Sequence, residues 1–380
     1  MFKDCVAVLS IGTSSINFII GESGVNNTFI FRAKKTIDCY PFYDGNFTDI
    51  NQLESHILKA ICEIKESSEI SSIDTVYVGI PGEFFKLVTK NYKLAFNKVR
   101  KITKKEINAL YELGFEDTDC EYALAHKSAV YFAVDSYKTD NPYGLKSSSL
   151  GGRLCYYLVN TNFKEVITNI LRKVGVKKIK YISEEYAKAQ ILFTKSERDA
   201  CKILVDVGGS STSVSIICGD GVLFSSSLPL GGGILSATLS EKLNCDYFVA
   251  EQLKKKINIG LKPTEMTDYI VEDDDFYSFS IVDVNEATCG FLDELAESID
   301  GVLASCKLKI PSDVDVAFTG GGICHIRGAV CYISSKIGSL PITVAPHLPH
   351  YDKPEYSARI ALLSSALKHK NDKIFFTDKE

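Results

Sequence analysis

The chain has 380 residues, of which 45% are hydrophobic and 24% charged, with 43 Lys and Arg against 48 Asp and Glu and a formal net charge of −5. Its length excludes a small binding module and predicts two lobes or domains. Its composition excludes wholesale disorder, and the balanced charge excludes a general field for nucleic acid.

No run reaches the roughly 18 apolar residues of a membrane span, and the opening MFKDCVAVLSIG lacks a signal-peptide layout, so a cytoplasmic chain is expected. Twelve cysteines, at 5, 39, 62, 120, 155, 201, 218, 245, 289, 306, 324 and 331, form no CxxC pair. Most lie inside apolar runs, which predicts buried reduced thiols. His347 and His350 sit in a Pro-rich turn without a second ligand pair and read as a loop.

From Val6 to Ile20 two apolar runs flank a Gly-Thr-Ser-Ser turn, which predicts a hairpin with a polar tip. A helix follows over Ile50–Ser67, with Leu53, Ile57, Leu58, Ile61 and Ile64 at helical spacing, and then a strand, TVYVGI, ends at Pro81 and Gly82. Residues 83–162 change character, with strands NYKLAFN and HKSAVYFAVDSY, a charged helix from Thr103 and a loop DNPYGLKSSSLGG, and read as an inserted subdomain. A helix over Asn162–Val174, a strand KKIKYI and a helix EEYAKAQILF resume the α/β layer. The second half opens as the first did: LVDVGGSSTSVSII matches VLSIGTSSINFII as apolar run, Gly and hydroxyl turn, apolar run. Such internal similarity is expected of a duplicated domain, with both turns brought to one cleft.

A Gly- and hydroxyl-rich tip presents successive backbone N–H groups, which suit an anion such as phosphate. Most Gly-Ser tips are simply turns. Two equivalent tips plus a third cluster, VAFTGGGICHIRG at 316–328, point to a common ligand. The third cluster reads as strand, Gly320-Gly321-Gly322, then helix, which permits close backbone approach to a flat base and presents a helix N-terminus.

In order and spacing these three elements resemble the actin, heat-shock chaperone and sugar-kinase superfamily, and within it the chain resembles the FtsA family of bacterial cell-division proteins from Val6 to Leu367. The motifs that carry this are VYVGIPGEF, RKITKKEINAL, DNPYGLKSSSLGGRL, SEEYAKAQILF, PLGGGILSATLSEKL and AEQLKKKINIG. The resemblance implies an α/β, actin-like two-lobed ATPase fold with duplicated ribonuclease-H-like domains and an FtsA-type inserted 1C subdomain. Lobe one (1A) would take 1–82 and 163–196, and the 1C insertion 83–162. The lower part of lobe two (2A) would take 197–231 and 305–368, its upper part (2B) 232–304, and the tail 369–380. It also implies ATP and Mg²⁺ as ligands. Gly12, Thr13, Ser14 and Ser15 would form the first phosphate loop, and Gly208, Gly209, Ser210 and Ser211 the second, with Gly231, Gly232 and Gly233 beside them. Gly320, Gly321, Gly322 and Ile323 would lie against adenine, Glu251 and Lys254 would reach ribose and base, Asp206 would anchor Mg²⁺, and Asp206 and Glu185 would be the catalytic acids.

The chain departs from the family where charge matters. Ser10 stands where the family carries an aspartate, Ser15 where a basic residue is common, and Ser213 and Thr238 where aspartates are usual. Fewer carboxylates weaken or remove the Mg²⁺ site and predict retained ATP binding with very slow or absent turnover. In the tail, Ile374, Phe375 and Phe376 are consecutive, so they cannot make the apolar face of a membrane-binding helix. A truncated chain, docking on a membrane-protein partner and a different use of the surface are the open alternatives. The stretch Lys86–Lys105 holds eight bases and no acid, which reads either as a solvated face or as a contact for anionic lipid or an acidic partner.

By resemblance the output is binding and assembly: 2B would receive the C-terminal peptide of the tubulin-like protein FtsZ, and like subunits would stack head to tail into filaments. The expected place is the cytoplasm, peripheral to the inner face of the membrane or the division site. Two alternatives stand beside this: a PilM-like pilus-assembly adaptor, and a small-molecule kinase of the same superfamily.

Overall fold

The computed structural model describes residues 5–25, 28–67, 72–116, 120–260, 268–272, 276–308 and 314–376, so the last four residues of the tail lie outside it. Two five-stranded sheets carry the architecture, and they share one topology. In the first, Val6–Ile11, Ser15–Ser23 and Phe29–Asp38 form an antiparallel meander, and Thr75–Ile80 and Lys178–Ser183 continue from Val6–Ile11 in parallel. In the second, Lys202–Val207, Thr212–Cys218 and Gly221–Leu228 form the meander, and Val316–Thr319 and Ile342–Thr343 continue in parallel. The duplication read from two short motifs thus extends through both sheets.

Each sheet is covered by helices whose apolar positions recur at helical spacing. Ile50–Ser67 buries Leu53, Ile57, Ile61 and Ile64 on lobe one, and the 25-residue helix Ile281–Ser305 does the same in lobe two. Between the second meander and Val316 the chain builds Gly232–Leu243, Tyr247–Lys254 and a two-stranded ribbon.

The insertion is a four-stranded sheet with Phe85–Lys101 at its edge, then Lys146–Asn160, Tyr122–Val134 and Tyr137–Thr139. One helix packs on it, Lys104–Leu113, started by a capping box between Thr103 and Glu106. KSSSLGG, expected as loop, is strand, because it pairs with both neighbours and Ser147 and Ser149 are buried. All eight bases of the Lys86–Lys105 stretch are exposed, on the open edge strand and the start of its following helix. Lysines there discourage edge-to-edge pairing between copies.

The chain's last helix, Ser357–His369, which the resemblance assigns to lobe two, packs on lobe-one strands, with Ala361, Leu362, Leu363 and Ala366 in a cluster that holds Val6, Val8 and Ile19 of one lobe and Leu204 and Ile217 of the other. Beyond it the tail folds back. Phe375 and Phe376 are buried, Lys127 N–H donates to Phe375 O at 3.0 Å, and the Phe375 ring stacks on His369 at 3.7 Å and on His126 at 4.5 Å. The consecutive aromatics fill the seam between insertion and lobe one. Burial holds the His126 imidazole well below its ordinary pKa, so Nε2 is free to accept the Ser183 N–H at 3.0 Å.

The expectation of buried reduced thiols fails at specific cysteines. Cys201 and Cys218 lie just outside the Lys202–Ile217 pair of the second hairpin, and that register joins them in a disulfide. Cys62, Cys120 and Cys331 are exposed. No described helix is long and apolar enough to cross a membrane.

Because Phe375 closes the seam, Phe375→Ala should destabilise the protein by about 3–5 kcal/mol in urea unfolding. A loss under about 1 kcal/mol would mean the tail is not part of the core.

Candidate functional site

The two meanders end in tips of identical construction. After the Ile11–Ile16 pair, Gly12 N–H donates to Ser15 O at 2.8 Å; after the Val207–Thr212 pair, Gly208 N–H donates to Ser211 O at 2.8 Å. The flanking strands are apolar and buried, so the hydroxyl-rich tips are what they project beyond the sheets. The tips meet: Ser210 N–H donates to Thr13 Oγ1 at 3.1 Å. Both border one cleft of about 690 Å³ between the lobes, together with Ser10, Lys188, Asp206, Gly233, Glu251, Lys254 and Gly320 to Gly322.

The glycine clusters pack backbone against backbone. Gly232 N–H donates to Gly208 O at 2.9 Å, Gly233 N–H to Gly209 O at 2.7 Å, and Gly322 N–H to Val207 O at 2.8 Å. Gly320 has φ +92°, and a Cβ there would lie 2.2 Å from Asp206 Oδ1. Gly321 has more room, its nearest neighbour being Glu355 Cβ at 3.5 Å, and it faces the cleft. Two expectations need adjusting here. Residues 321–325 form turns and the helix begins only at Ala329, so the glycines do not stand on a helix N-terminus. Ile323 is fully buried in the lobe-two core, with Gly231 and Gly232 also behind the cleft wall rather than on it.

Glu251 and Lys254 share a helix face and pair at 2.6 Å. Burial pulls the Lys254 ammonium down; for Glu251 burial is the largest effect and raises the carboxyl, but the Lys254 charge together with hydrogen bonds from Lys254 and Ser236 outweighs it and leaves the carboxyl lowered. Lys254 Nζ also donates to Gly232 O at 3.0 Å and Ser236 Oγ at 2.9 Å. An ammonium has three donors, and all three are engaged, on Gly232 O, Ser236 Oγ and Glu251 Oε1. Any contact of this pair with a ribose would fall to Glu251.

At the floor of the cleft lies an ionic cluster of which motif reading named Asp206 and Glu185 but passed over Lys188 and Glu184. Lys188, 2% exposed, bonds Asp206 and lies 3.1 Å from Glu185. Glu185 also accepts from Ser213 Oγ at 2.9 Å and Ser215 Oγ at 3.4 Å, so both its oxygens are engaged. Burial alone would lower the Lys188 ammonium, but Asp206, Glu185 and Glu184 outweigh it and hold it above the usual lysine value. Burial pushes the Glu184 carboxyl up to about 7, with Ser10 Oγ donating to it at 3.1 Å. The signal in the sequence was Glu184-Glu185-x-x-Lys188, spacings i,i+4 and i,i+3 inside an otherwise apolar helix.

Glu83 was likewise missed as a site residue. It sits in PGEF, accepts Ser210 Oγ at 2.7 Å and Gly45 N–H at 2.7 Å, and so links lobe one to the second tip.

The residues at Asp206 do not fit a Mg²⁺ ion. Hydrated Mg²⁺ needs near-octahedral oxygen ligands and takes one or two free carboxylates. Here Asp206 Oδ2 carries the Lys188 ammonium, whose charge opposes a divalent ion at that carboxylate, both oxygens of Glu185 accept hydrogen bonds, and the strand position equivalent to Asp206 is Ser10. Among the described residues no group of three His, Cys, Asp or Glu is placed to hold a metal. The same contacts leave Asp206 and Glu185 as partners of Lys188 rather than as free bases for water.

Glu184 gives a measurable sign. Its folded pKa is raised from 4.5 to about 7, so it favours the folded state below pH 4.5, and that contribution is lost as pH rises through about 7. The full swing is about 3 kcal/mol. Glu184→Gln should flatten stability against pH between about 5 and 8 relative to the unaltered chain; an unchanged slope would place the titration elsewhere.

No family model matches the chain. Among curated proteins it is similar to the cell division protein FtsA of Neisseria meningitidis serogroup B, 20% identical over 391 residues covering 96% of this chain and 90% of that protein. It is also similar to FtsA of Enterococcus faecalis, 25% identical over 335 residues covering 84% and 72%. Among solved structures it is similar to one of the PilM-PilN type IV pilus biogenesis complex, with a TM-score of 0.64, 15% identity, and 95% and 98% coverage. MreB5 of Spiroplasma citri bound to AMPPNP aligns with a TM-score of 0.56 at 13% identity over 98% of each chain. The chain therefore has the actin-like two-domain ATPase fold.

Proposed function

We propose that this chain is an actin-like nucleotide-binding scaffold of bacterial cell division, whose cleft takes ATP and whose output is binding and assembly. The observation that carries the nucleotide part is the pair of identically closed tips, at Gly12–Ser15 and Gly208–Ser211, facing each other across one cleft. Backbone N–H groups at such tips suit a polyphosphate held between lobes. Neighbours of this fold bound to AMPPNP and to ADP support the same ligand. Relatives called FtsA over most of the chain support the cell-division setting.

Turnover is slow or absent in this reading, because both candidate acids are held by Lys188 and neither is free to position a water. That also disfavours the kinase alternative, which needs a free base. The FtsZ C-terminal peptide would dock on the part of lobe two from 232 to 304, and copies would associate head to tail. The basic edge of the insertion would face an acidic or membrane-borne partner at the division site. A second reading, an adaptor in type IV pilus assembly, is favoured by the TM-score of 0.64 to the PilM-PilN complex.

Ser14 is exposed on the first tip. Ser14→Asp should weaken ATP binding by about tenfold or more in calorimetry without altering the circular dichroism, since it sets a carboxylate against phosphate. Unchanged affinity would remove the tip from the site.

For the partner, FtsZ C-terminal peptide should bind the full chain in fluorescence anisotropy. Binding of a PilN cytoplasmic peptide, with none of the FtsZ peptide, would decide for the pilus reading.

A further inference from the structure

The duplication supplies an internal comparison at the floor of the cleft. Ser10 and Asp206 each stand two residues before the first glycine of a tip, Gly12 and Gly208, and so occupy equivalent places on equivalent strands. Ser10 Oγ is spent on Glu184 at 3.1 Å, and Asp206 Oδ2 bonds the Lys188 ammonium, which leaves Oδ1 as the one oxygen of the pair without a protein partner.

Lys188 reaches this place from the Glu184–Leu192 helix of the other lobe, with its side chain almost wholly buried and yet bordering the cleft. Two of its three N–H donors are taken up by the carboxylates of Asp206 and Glu185. Nζ lies 3.1 Å from both Oε1 and Oε2 of Glu185, so the ammonium acts on the cleft through its field rather than through a donor held in reserve. Desolvation makes an isolated buried ammonium costly, and its retention here is explained by the carboxylates around it.

We infer that Lys188 supplies from within the chain the positive charge that a divalent cation would otherwise bring to the phosphates, so that nucleotide binds this cleft without metal. This rests on the nucleotide-binding reading of the same cleft. A resident ammonium differs from Mg²⁺ in consequence: it cannot leave with product or be chelated, and it repels a divalent ion from the one carboxylate that could anchor it. The preferred ligand is then the free nucleoside polyphosphate anion rather than its metal complex.

The test titrates ATP into the full chain by calorimetry, once in EDTA and once in excess Mg²⁺, and separately measures Mn²⁺ uptake by the nucleotide-free protein from the EPR signal of free Mn²⁺. The unaltered chain should bind ATP in EDTA with an affinity equal to that in Mg²⁺ within about threefold, and should take up no Mn²⁺. Lys188→Ala should lose about tenfold or more in EDTA, recover in Mg²⁺, and bind one Mn²⁺. ATP binding by the unaltered chain that requires Mg²⁺, or Mn²⁺ uptake by that chain, overturns the inference and leaves the nucleotide reading intact. Those two measurements need no variant, so they decide even if Lys188→Ala does not fold. A folded Lys188→Ala that binds ATP in EDTA as the unaltered chain does, or takes up no Mn²⁺, also overturns it. Absence of ATP binding in both conditions overturns the nucleotide reading itself.

Discussion

Lys188 joins the two halves of the molecule at the point where the candidate ligand site begins. Its helix belongs to lobe one, Asp206 ends a central strand of lobe two, and Glu185 reaches across to the hydroxyls of Ser213 and Ser215 on the next strand. A buried network of this kind is favourable only when every member is satisfied, so it permits little variation in how the lobes meet. The second tip starts two residues beyond Asp206, and its position relative to the first follows from that constraint. Interlobe contact and site geometry are therefore one feature.

The glycines serve the same end by a different route. Gly232, Gly320 and Gly322 let three loops stack with their backbones in hydrogen-bond contact around Gly208 and Val207. Much of the wall of the cleft is main chain, braced at its border by Lys254, which Glu251 holds in place. Fixed N–H groups cost no reorganisation when an anion arrives. The polar chemistry left to side chains is concentrated at the floor.

Much of this was legible in the sequence. Ile50–Ser67 was readable because its apolar residues recur at helical spacing, and the two tips because apolar runs bracket Gly and hydroxyl residues. What escaped was whatever depends on residues distant in sequence. Lys188 reads as the partner of Glu184 and Glu185 within its own helix until Asp206, 18 positions later, is brought onto it. Ile323 follows three glycines and looks ligand-facing, but the turns over 321–325 direct it into the core. Phe375 and Phe376 have no helical period, yet a turn closed on Asp372 seats both in the seam between lobe one and the insertion. The Cys201–Cys218 pairing follows from hairpin register, which spacing alone does not give.

The central claim is that both tips close on one ligand at a shared cleft. Amide hydrogen exchange of the full chain, with and without ATP in EDTA, tests it most directly. The account predicts slowed exchange at 12–15 and at 208–211 together. Protection confined to one lobe, or present at neither tip despite bound ATP, would contradict it.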